Sequence, residues 1–215
     1  MVVNLNKFEE IKNTINNFTH PCKLLVVSKN RKFEEILTLI NAGQFFFGEN
    51  RVQEAKLKFI DTGIKKKFDL HLSLIGPLQS NKVSLALEIF DSILSIDRKK
   101  IIDEIAKLKN KSDLINTKRF YMQVNIGQEH QKSGADPMHI YELFEYSKSK
   151  GIEISGLMCI PPNMNNPSIF FRQMQIIRDK LNPTLELSMG MSNDYRVGLK
   201  YGSNLIRVGS LLFND

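Results

Sequence analysis

Residues 23–47 read KLLVVSKNRKFEEILTLINAGQFFF, and this stretch decides the fold. A short apolar run comes first, a segment with apolar residues at helical spacing follows, and a second apolar run ends the stretch. Gly43 stands where a helix would end in the left-handed conformation. A strand, a helix and a strand in this order predict one βαβ unit of a parallel sheet.

The same alternation continues to the C-terminus of the 215-residue chain. Helices are predicted at residues 33–40, 101–108, 140–144, 170–181 and 194–201. Strands are predicted at residues 23–27, 44–47, 70–75, 92–96, 120–126, 153–158, 184–188 and 205–208. Eight such units predict an α/β fold of one domain over residues 1–215, a (β/α)8 barrel of the TIM type. An open doubly wound sheet is the alternative, but the glycine-rich phosphate loop typical of that fold is absent after the first strand.

The N-terminal residues predict one helix in addition to the barrel. Leu5, Phe8, Ile11 and Ile15 recur at helical spacing, and we expect this helix to plug or pack against one end of the barrel. The segment lacks the charged start and apolar core of a secretory signal. No run approaches the roughly 20 apolar residues that span a bilayer, so no membrane partner is expected.

Composition restricts the class of protein further. Hydrophobic residues make up 42% and charged residues 25%, which is typical of a globular protein. Cys22 and Cys159 have no disulfide or metal-ligand spacing, and a reducing cytoplasm is therefore the expected compartment. The net charge of +7 is spread along the chain and is not interleaved with aromatic residues, so no nucleic-acid partner is expected.

Lys29 is the first candidate functional residue, because functional groups of such barrels lie at the C-terminal ends of strands. Strand alternation places Lys29 on the same face as Leu25 and Val27. If that face lines the interior, the amine lies at the barrel mouth. There, partial removal from water favours the neutral amine that condenses with an aldehyde. The alternative is a lysine whose amine reaches out to bulk water.

A second group of candidates follows the last two predicted strands, where barrels often bind phosphate. Gly209 and Ser210 come after the eighth strand and Ser192 after the seventh, so these three residues are expected to form a phosphate cup. The alternative is that the glycine only turns the chain. An amine and a phosphate cup at one mouth predict a phosphorylated aldehyde, pyridoxal 5′-phosphate, as the cofactor.

Arg207 supplies a third point of contact. It lies two residues before Gly209, faces the predicted interior, and is expected to donate to the pyridine nitrogen of the cofactor. A guanidinium opposes protonation of that nitrogen and weakens the ring as an electron sink. The alternative is an interior salt bridge with Asp91, Asp97 or Glu186.

Seven segments along nearly the whole chain together resemble the pyridoxal phosphate homeostasis protein family. They are LVVSK (25–29), FGEN with VQEA (47–55), IGPLQSNK (75–82), KSG (132–134), GLM (156–158), LSMGMS (187–192) and RVGS (207–210). The resemblance implies a fold-type III barrel like the N-terminal domain of alanine racemase. Arg51 and the terminal Asn214-Asp215 depart from the family's pattern.

The resemblance also assigns roles to individual residues. It implies a Schiff base on Lys29, packing near the ring from Asn50 and Met191, and phosphate contacts from Ser192, Gly209 and Ser210. It implies a carrier or regulator of vitamin B6 without an established catalytic reaction. We expect a monomer that is not an enzyme, with apo-enzymes that use the cofactor as partners. Independently of the resemblance, the positions of Lys82 and Lys132 at the rim make them candidates for a second aldehyde-binding amine.

Two enzymatic alternatives remain. A pyridoxal phosphate-dependent racemase or decarboxylase would need a second acid/base group, which racemases of this fold take from an additional C-terminal β-domain. The given chain ends five residues after Ser210, so Tyr121, Tyr195 or Tyr201 would have to replace that group. The other alternative is an aldolase without a cofactor, in which Lys29 forms a Schiff base with a sugar phosphate.

Overall fold

The computed structural model describes residues 3–109 and 115–213. Eight parallel strands form one sheet in the order β7-β6-β5-β4-β3-β2-β1-β8. The strands are β1 Lys23–Val27, β2 Phe46–Glu49, β3 His71–Leu74, β4 Ser92–Ile96, β5 Arg119–Val124, β6 Gly156–Cys159, β7 Glu186–Ser188 and β8 Leu205–Val208. Each strand lies beside its neighbour in sequence, and β8 also pairs with β1, as a (β/α)8 barrel requires. The predicted fold class is confirmed.

Main-chain and side-chain hydrogen bonds together close the barrel between β7 and β8. The Asn204 N–H donates to the Leu187 carbonyl at 2.8 Å, and the Arg207 N–H donates to the Gly190 carbonyl at 2.9 Å. The Asn204 side-chain oxygen accepts a hydrogen bond from the Leu187 N–H at 2.9 Å. An asparagine side chain thus completes a ladder that main-chain atoms form elsewhere.

Alternating strand residues fill two separate cores. Leu25, Leu94, Tyr121, Met158 and Leu205 pack together inside the barrel. The residues between them on the strands point the other way and pack beneath the helices in one larger cluster. This alternation places the side chains that follow Leu25 at every second position on the inner side of β1.

The helices surround the sheet. They are α1 Leu5–Asn16, α2 Phe33–Asn41, α3 Val52–Ala55, α4 Ile64–Lys67, α5 Val83–Ile89, α6 Lys99–Lys109, α7 Ile140–Ser149, α8 Ser168–Leu181 and α9 Tyr195–Lys200. All five helices predicted between strands are present, and Gly43 ends α2 with a left-handed φ of 85°. The helices α3, α4 and α5 were not predicted, because one or two turns contain too few residues to show a helical period.

The N-terminal helix α1 is present, but it does not plug an end of the barrel. Its buried residues Phe8, Ile11 and Ile15 join the outer core. The Asn4 N–H donates to the Leu212 carbonyl at 2.8 Å, so the start of α1 is bound to the last turn of the chain. The helix therefore lies in the outer layer. The departure at Asn214-Asp215 lies outside the described residues.

The N-terminal mouth of the barrel contains a cavity of about 110 Å³ lined by residues at the starts of strands. The Glu186 carboxylate forms an ion pair with Arg119 at 2.7 Å. It also accepts a hydrogen bond from the Tyr121 hydroxyl at 2.5 Å. His71 lies beside this group, with Nε2 3.1 Å from the Ser92 hydroxyl. These polar side chains line the N-terminal mouth.

His71 is expected to make the stability of the protein depend on pH. Burial lowers its pKa, Asp91 opposes this, and the cations of Lys23 and Arg119 lower the pKa further. The unfolded chain then binds the proton more tightly, so the free energy of unfolding falls as the pH drops below about 6.5. We expect His71→Gln to reduce this fall in urea unfolding, whereas His130→Gln, at an exposed position, leaves it unchanged. An equal fall in the wild type and in both variants would contradict the prediction.

Candidate functional site

The ends of β1, β2 and β8 meet at the C-terminal mouth of the barrel. In the sheet, Val27 lies beside Gly48 of β2, and Val26 lies beside Val208 of β8. On the β8 side this register continues with Val27 beside Gly209. On the β2 side, Lys29 and Asn50 each lie two residues beyond the paired Val27 and Gly48. Lys29, Asn50 and Gly209 therefore lie at one mouth, at the ends of three neighbouring strands.

Lys29 follows β1 in a turn, two residues after Val27 on the inner side of the strand. It is exposed, so the predicted partial removal of this side chain from water is wrong for the protein alone. Within the described residues, its amine forms no hydrogen bond or ion pair. An amine of this kind is accessible to an aldehyde that enters the mouth.

Gly209 and Ser192 lie within reach of one another across the ends of β8 and β7. The Gly209 N–H points at the Ser192 hydroxyl oxygen, with 3.4 Å between the heavy atoms. A Cβ at residue 209 would lie 3.1 Å from the Val27 carbonyl oxygen, so a glycine allows β8 to approach the end of β1. Ser210 follows directly and is exposed. The structure thus collects a hydroxyl and a backbone N–H beside the turn of Lys29.

Arg207 lies inside the barrel and is 3% exposed. One of its terminal nitrogens donates to the carbonyl and hydroxyl oxygens of Ser188, both at 2.8 Å, and the other donates to the Cys159 carbonyl at 2.7 Å. Burial lowers the pKa of Arg207. A guanidinium has five N–H donors, so these three acceptors leave donors for a ligand.

The alternative of an interior salt bridge to Arg207 is wrong. Its three candidate partners pair with other cations: Asp91 with Lys65 at 3.0 Å, Asp97 with Arg98 at 2.5 Å and Glu186 with Arg119 at 2.7 Å. Among residues 3–109 and 115–213, no carboxylate forms an ion pair with Arg207. The strand starts and strand ends lie at opposite mouths, which separates Asp91 and Glu186 from Arg207.

Asn50 and Met191, expected near the ring, both lie on loops fixed by close backbone contacts. A Cβ at Gly76 would lie only 2.2 Å from the Asn50 carbonyl oxygen. The Met191 N–H donates to the Asp194 carboxylate at 2.5 Å, and burial raises the pKa of that carboxyl group. Both residues are half-buried at the mouth.

Sequence reasoning missed a group of buried and half-buried charged side chains behind β1 and β2. Lys58 is its central residue and lies in a π-helical segment, Lys56–Ile60, which continues α3. Its amine contacts Glu49, at the end of β2. The sequence Lys-Leu-Lys-Phe-Ile carries no signal for a π-helix, and β2 was predicted to end before Glu49, at residue 47.

The two lysines considered as second amines differ in their surroundings. The Lys132 amine forms an ion pair with Glu129 and donates to the Pro161 carbonyl at 3.1 Å. Lys82 lies in the 3-10 turn Ser80–Lys82 after β3.

Comparison with known proteins identifies the family, although no family model matches the chain. A pyridoxal phosphate homeostasis protein of Aquifex aeolicus is 39% identical over 202 residues, which cover 90% of this chain and 86% of the relative. The chain belongs to the pyridoxal phosphate homeostasis protein family. The solved structure of PipY from Synechococcus elongatus with pyridoxal phosphate bound is 32% identical, with a TM-score of 0.81 over 97% of this chain and 99% of PipY.

Membership of the pyridoxal phosphate homeostasis protein family agrees with the wider likeness of fold. Alanine racemase from Acinetobacter baumannii has a TM-score of 0.75 over 98% of this chain and 62% of the racemase, at 18% identity. At this identity the likeness shows the fold alone, a barrel shared with the racemase. The curated relatives are named for homeostasis and not for a reaction.

The side chains of the tyrosines considered as acid/base groups pack elsewhere than at the turn of Lys29. Tyr121 lies at the N-terminal mouth, where burial and its hydrogen bond to Glu186 raise its pKa. Tyr195 is buried in the outer core, and Tyr201 packs against that core.

The described ranges contain no helix with the length and apolar character needed to cross a membrane.

Proposed function

We propose that this protein binds pyridoxal 5′-phosphate at the C-terminal mouth of its barrel and carries it, without a reaction of its own, in the cytoplasm. The observation that supports this most is that Lys29, whose amine has no hydrogen bond or ion pair among the described residues, follows β1 at the mouth where the Ser192–Gly209 pair lies. The homologous PipY structure contains the same cofactor.

The residues present fit each end of this cofactor. Lys29 is the proposed covalent attachment point for the aldehyde. The Ser192 hydroxyl, the Gly209 N–H and Ser210 are the proposed phosphate contacts, because a hydroxyl and a backbone N–H can both donate to an anion. Gly209 also satisfies a steric requirement, since a Cβ there would crowd Val27.

The middle of the cofactor is assigned to three further residues. Arg207 has donors left for the pyridine nitrogen, while Asn50 and Met191 flank the ring. When bound, the cofactor supplies an aldehyde and a ring that can withdraw electrons. A buried guanidinium at the nitrogen would disfavour protonation there and limit that withdrawal, which suits a carrier better than a racemase.

The remaining parts of the proposal concern the protein as a whole. We expect residues 1–215 to act as one binding domain and as a monomer, and apo-enzymes that use the cofactor to receive it. A panel of apo-enzymes, mixed with the loaded protein, would show transfer as a gain of activity faster than that given by the same concentration of free cofactor.

The binding itself has a direct test. The purified protein mixed with pyridoxal phosphate is expected to develop the visible absorption band of a Schiff base, and borohydride should fix the label on Lys29. No amino acid should be turned over faster than by the cofactor alone. A protein that remains colourless would favour the aldolase alternative, and multiple turnovers of an amino acid would favour an enzyme.

A further inference from the structure

A compact group of buried and half-buried polar side chains lies directly behind the turn that carries Lys29. We call it the Lys58 cluster: Ser28, Glu49, Glu54 and Lys58. The Lys58 amine lies 2.8 Å from Glu49 Oε1 and 2.9 Å from Glu54 Oε1. The Glu49 side chain is fully buried, and its Oε1 also accepts a hydrogen bond from the Ser28 hydroxyl at 2.7 Å.

The cluster holds both peptide groups that flank Lys29. On one side, the Lys58 amine donates to the Ser28 carbonyl at 2.7 Å. On the other side, the Asn30 N–H donates to Glu54 Oε1 at 2.6 Å. Asn30 has a left-handed φ of 58°, which residues other than glycine rarely adopt. These bonds therefore fix an uncommon turn.

The same cluster reaches the residue before Asn50. Glu49 ends β2, and its carboxylate is bound by Lys58 and Ser28 on the outer side of the strand. Strand alternation then directs Asn50 to the opposite, inner side. Lys29 and Asn50 thus each follow a residue of the cluster, on neighbouring strands.

Lys58 reaches this position from a π-helix, a rare form that is often found at functional sites. Within the same segment, Lys56 points elsewhere and pairs with the exposed Asp61 at 2.5 Å. Phe59 is buried and packs on Phe47 of β2, with 5.8 Å between the ring centroids. The segment therefore presents one lysine to the cluster and one to solvent.

We propose that Lys58 is a positioning residue that acts through Ser28, Glu49 and Glu54 to orient Lys29 towards the mouth of the barrel. This inference rests on the proposed function of Lys29. The exposed Lys29 amine has no partner of its own among the described residues. Its direction therefore depends on the backbone that the cluster holds.

The test compares two ligands that differ only in the group that reacts with Lys29. Pyridoxal phosphate has the aldehyde, whereas pyridoxine phosphate has an alcohol and uses the phosphate cup without a covalent link. We expect Lys58→Met to lower the affinity for pyridoxal phosphate at least about tenfold and to slow trapping of this ligand by borohydride. The affinity for pyridoxine phosphate should change less than about twofold.

Three further variants complete the test. Lys56→Met, on the same π-helix, is the matched control and should bind both ligands as the wild type does. Lys58→Arg should recover part of the loss, because it restores a cation with several donors. Glu54→Ala leaves the ion pair between Glu49 and Lys58 in place, so this variant is used if Lys58→Met does not fold. It should also lower the affinity for pyridoxal phosphate and not that for pyridoxine phosphate.

A purely structural role predicts a different result. An equal loss of both ligands, or no loss of either in folded Lys58→Met or Glu54→Ala, would overturn the positioning role. A wild-type protein that binds pyridoxine phosphate but forms no covalent link at Lys29 would instead overturn the proposed function, and the positioning role with it. The two failures are therefore distinguishable.

Discussion

Replacing Lys29 with alanine is expected to abolish the Schiff-base absorption of the protein mixed with pyridoxal phosphate and to lower its affinity about 100-fold. Within the described ranges this amine has no other partner, so its loss should not disturb the fold. Absorption spectroscopy and mass spectrometry after borohydride reduction would measure the covalent link, and a competition assay would measure the affinity.

A second lysine in the same loop provides the control. Lys32 is exposed, three residues further along, and Lys32→Ala should retain the full absorption band. Pyridoxine phosphate should bind the wild type and Lys29→Ala about equally, because the phosphate cup is unchanged. A Schiff-base absorption band in Lys29→Ala as intense as that of the wild type would mean that another amine, such as Lys82 or Lys132, holds the aldehyde.

Replacing Gly76 with alanine is expected to lower the free energy of unfolding by about 3 kcal/mol, the upper part of the range for overpacked cores. The new Cβ would lie 2.2 Å from the Asn50 carbonyl oxygen and 2.8 Å from the Asn50 Cα and carbonyl carbon. All three atoms belong to the main chain, so no side-chain rotation relieves the overlap. Urea unfolding measures the loss.

The same substitution should also disturb the site, because it displaces Asn50 at the mouth. We expect a weaker affinity for pyridoxal phosphate in Gly76→Ala even where the variant is folded. Gly43→Ala is the control: its Cβ would meet no atom within 4 Å, and only its left-handed φ should cost about 1 kcal/mol. Equal destabilisation by the two substitutions would show that backbone conformation, and not the contact with Asn50, determines the effect.

Much of the fold follows from the sequence pattern, and so does the position of Lys29 at the end of β1. The alternation of Leu25, Val27 and Lys29 requires only the two-residue period of a strand. The boundary of β2 was placed two residues too early because Gly48 and Glu49 are not apolar. That shift hid Glu49, the buried carboxylate on which the Lys58 cluster is built.

The parts that sequence could not supply are contacts between distant segments. The bonds from Arg207 to the carbonyls of Ser188 and Cys159 depend on the spacing of three strands, which no local pattern contains. The position of α1 beside the last turn depends on the Asn4–Leu212 bond. In each case the determining partner lies many residues away.

The filled interior of the barrel has a consequence for exchange between proteins. Leu25, Leu94, Tyr121 and Met158 are buried on the axis of the barrel and separate the cavity at the N-terminal mouth from the C-terminal mouth. No passage therefore runs through the described barrel, and under the proposed function a small molecule bound at Lys29 would enter and leave by the C-terminal mouth. A protein that receives this molecule directly would have to dock over the loops that follow β1, β2, β7 and β8, so donor and recipient sites would face each other.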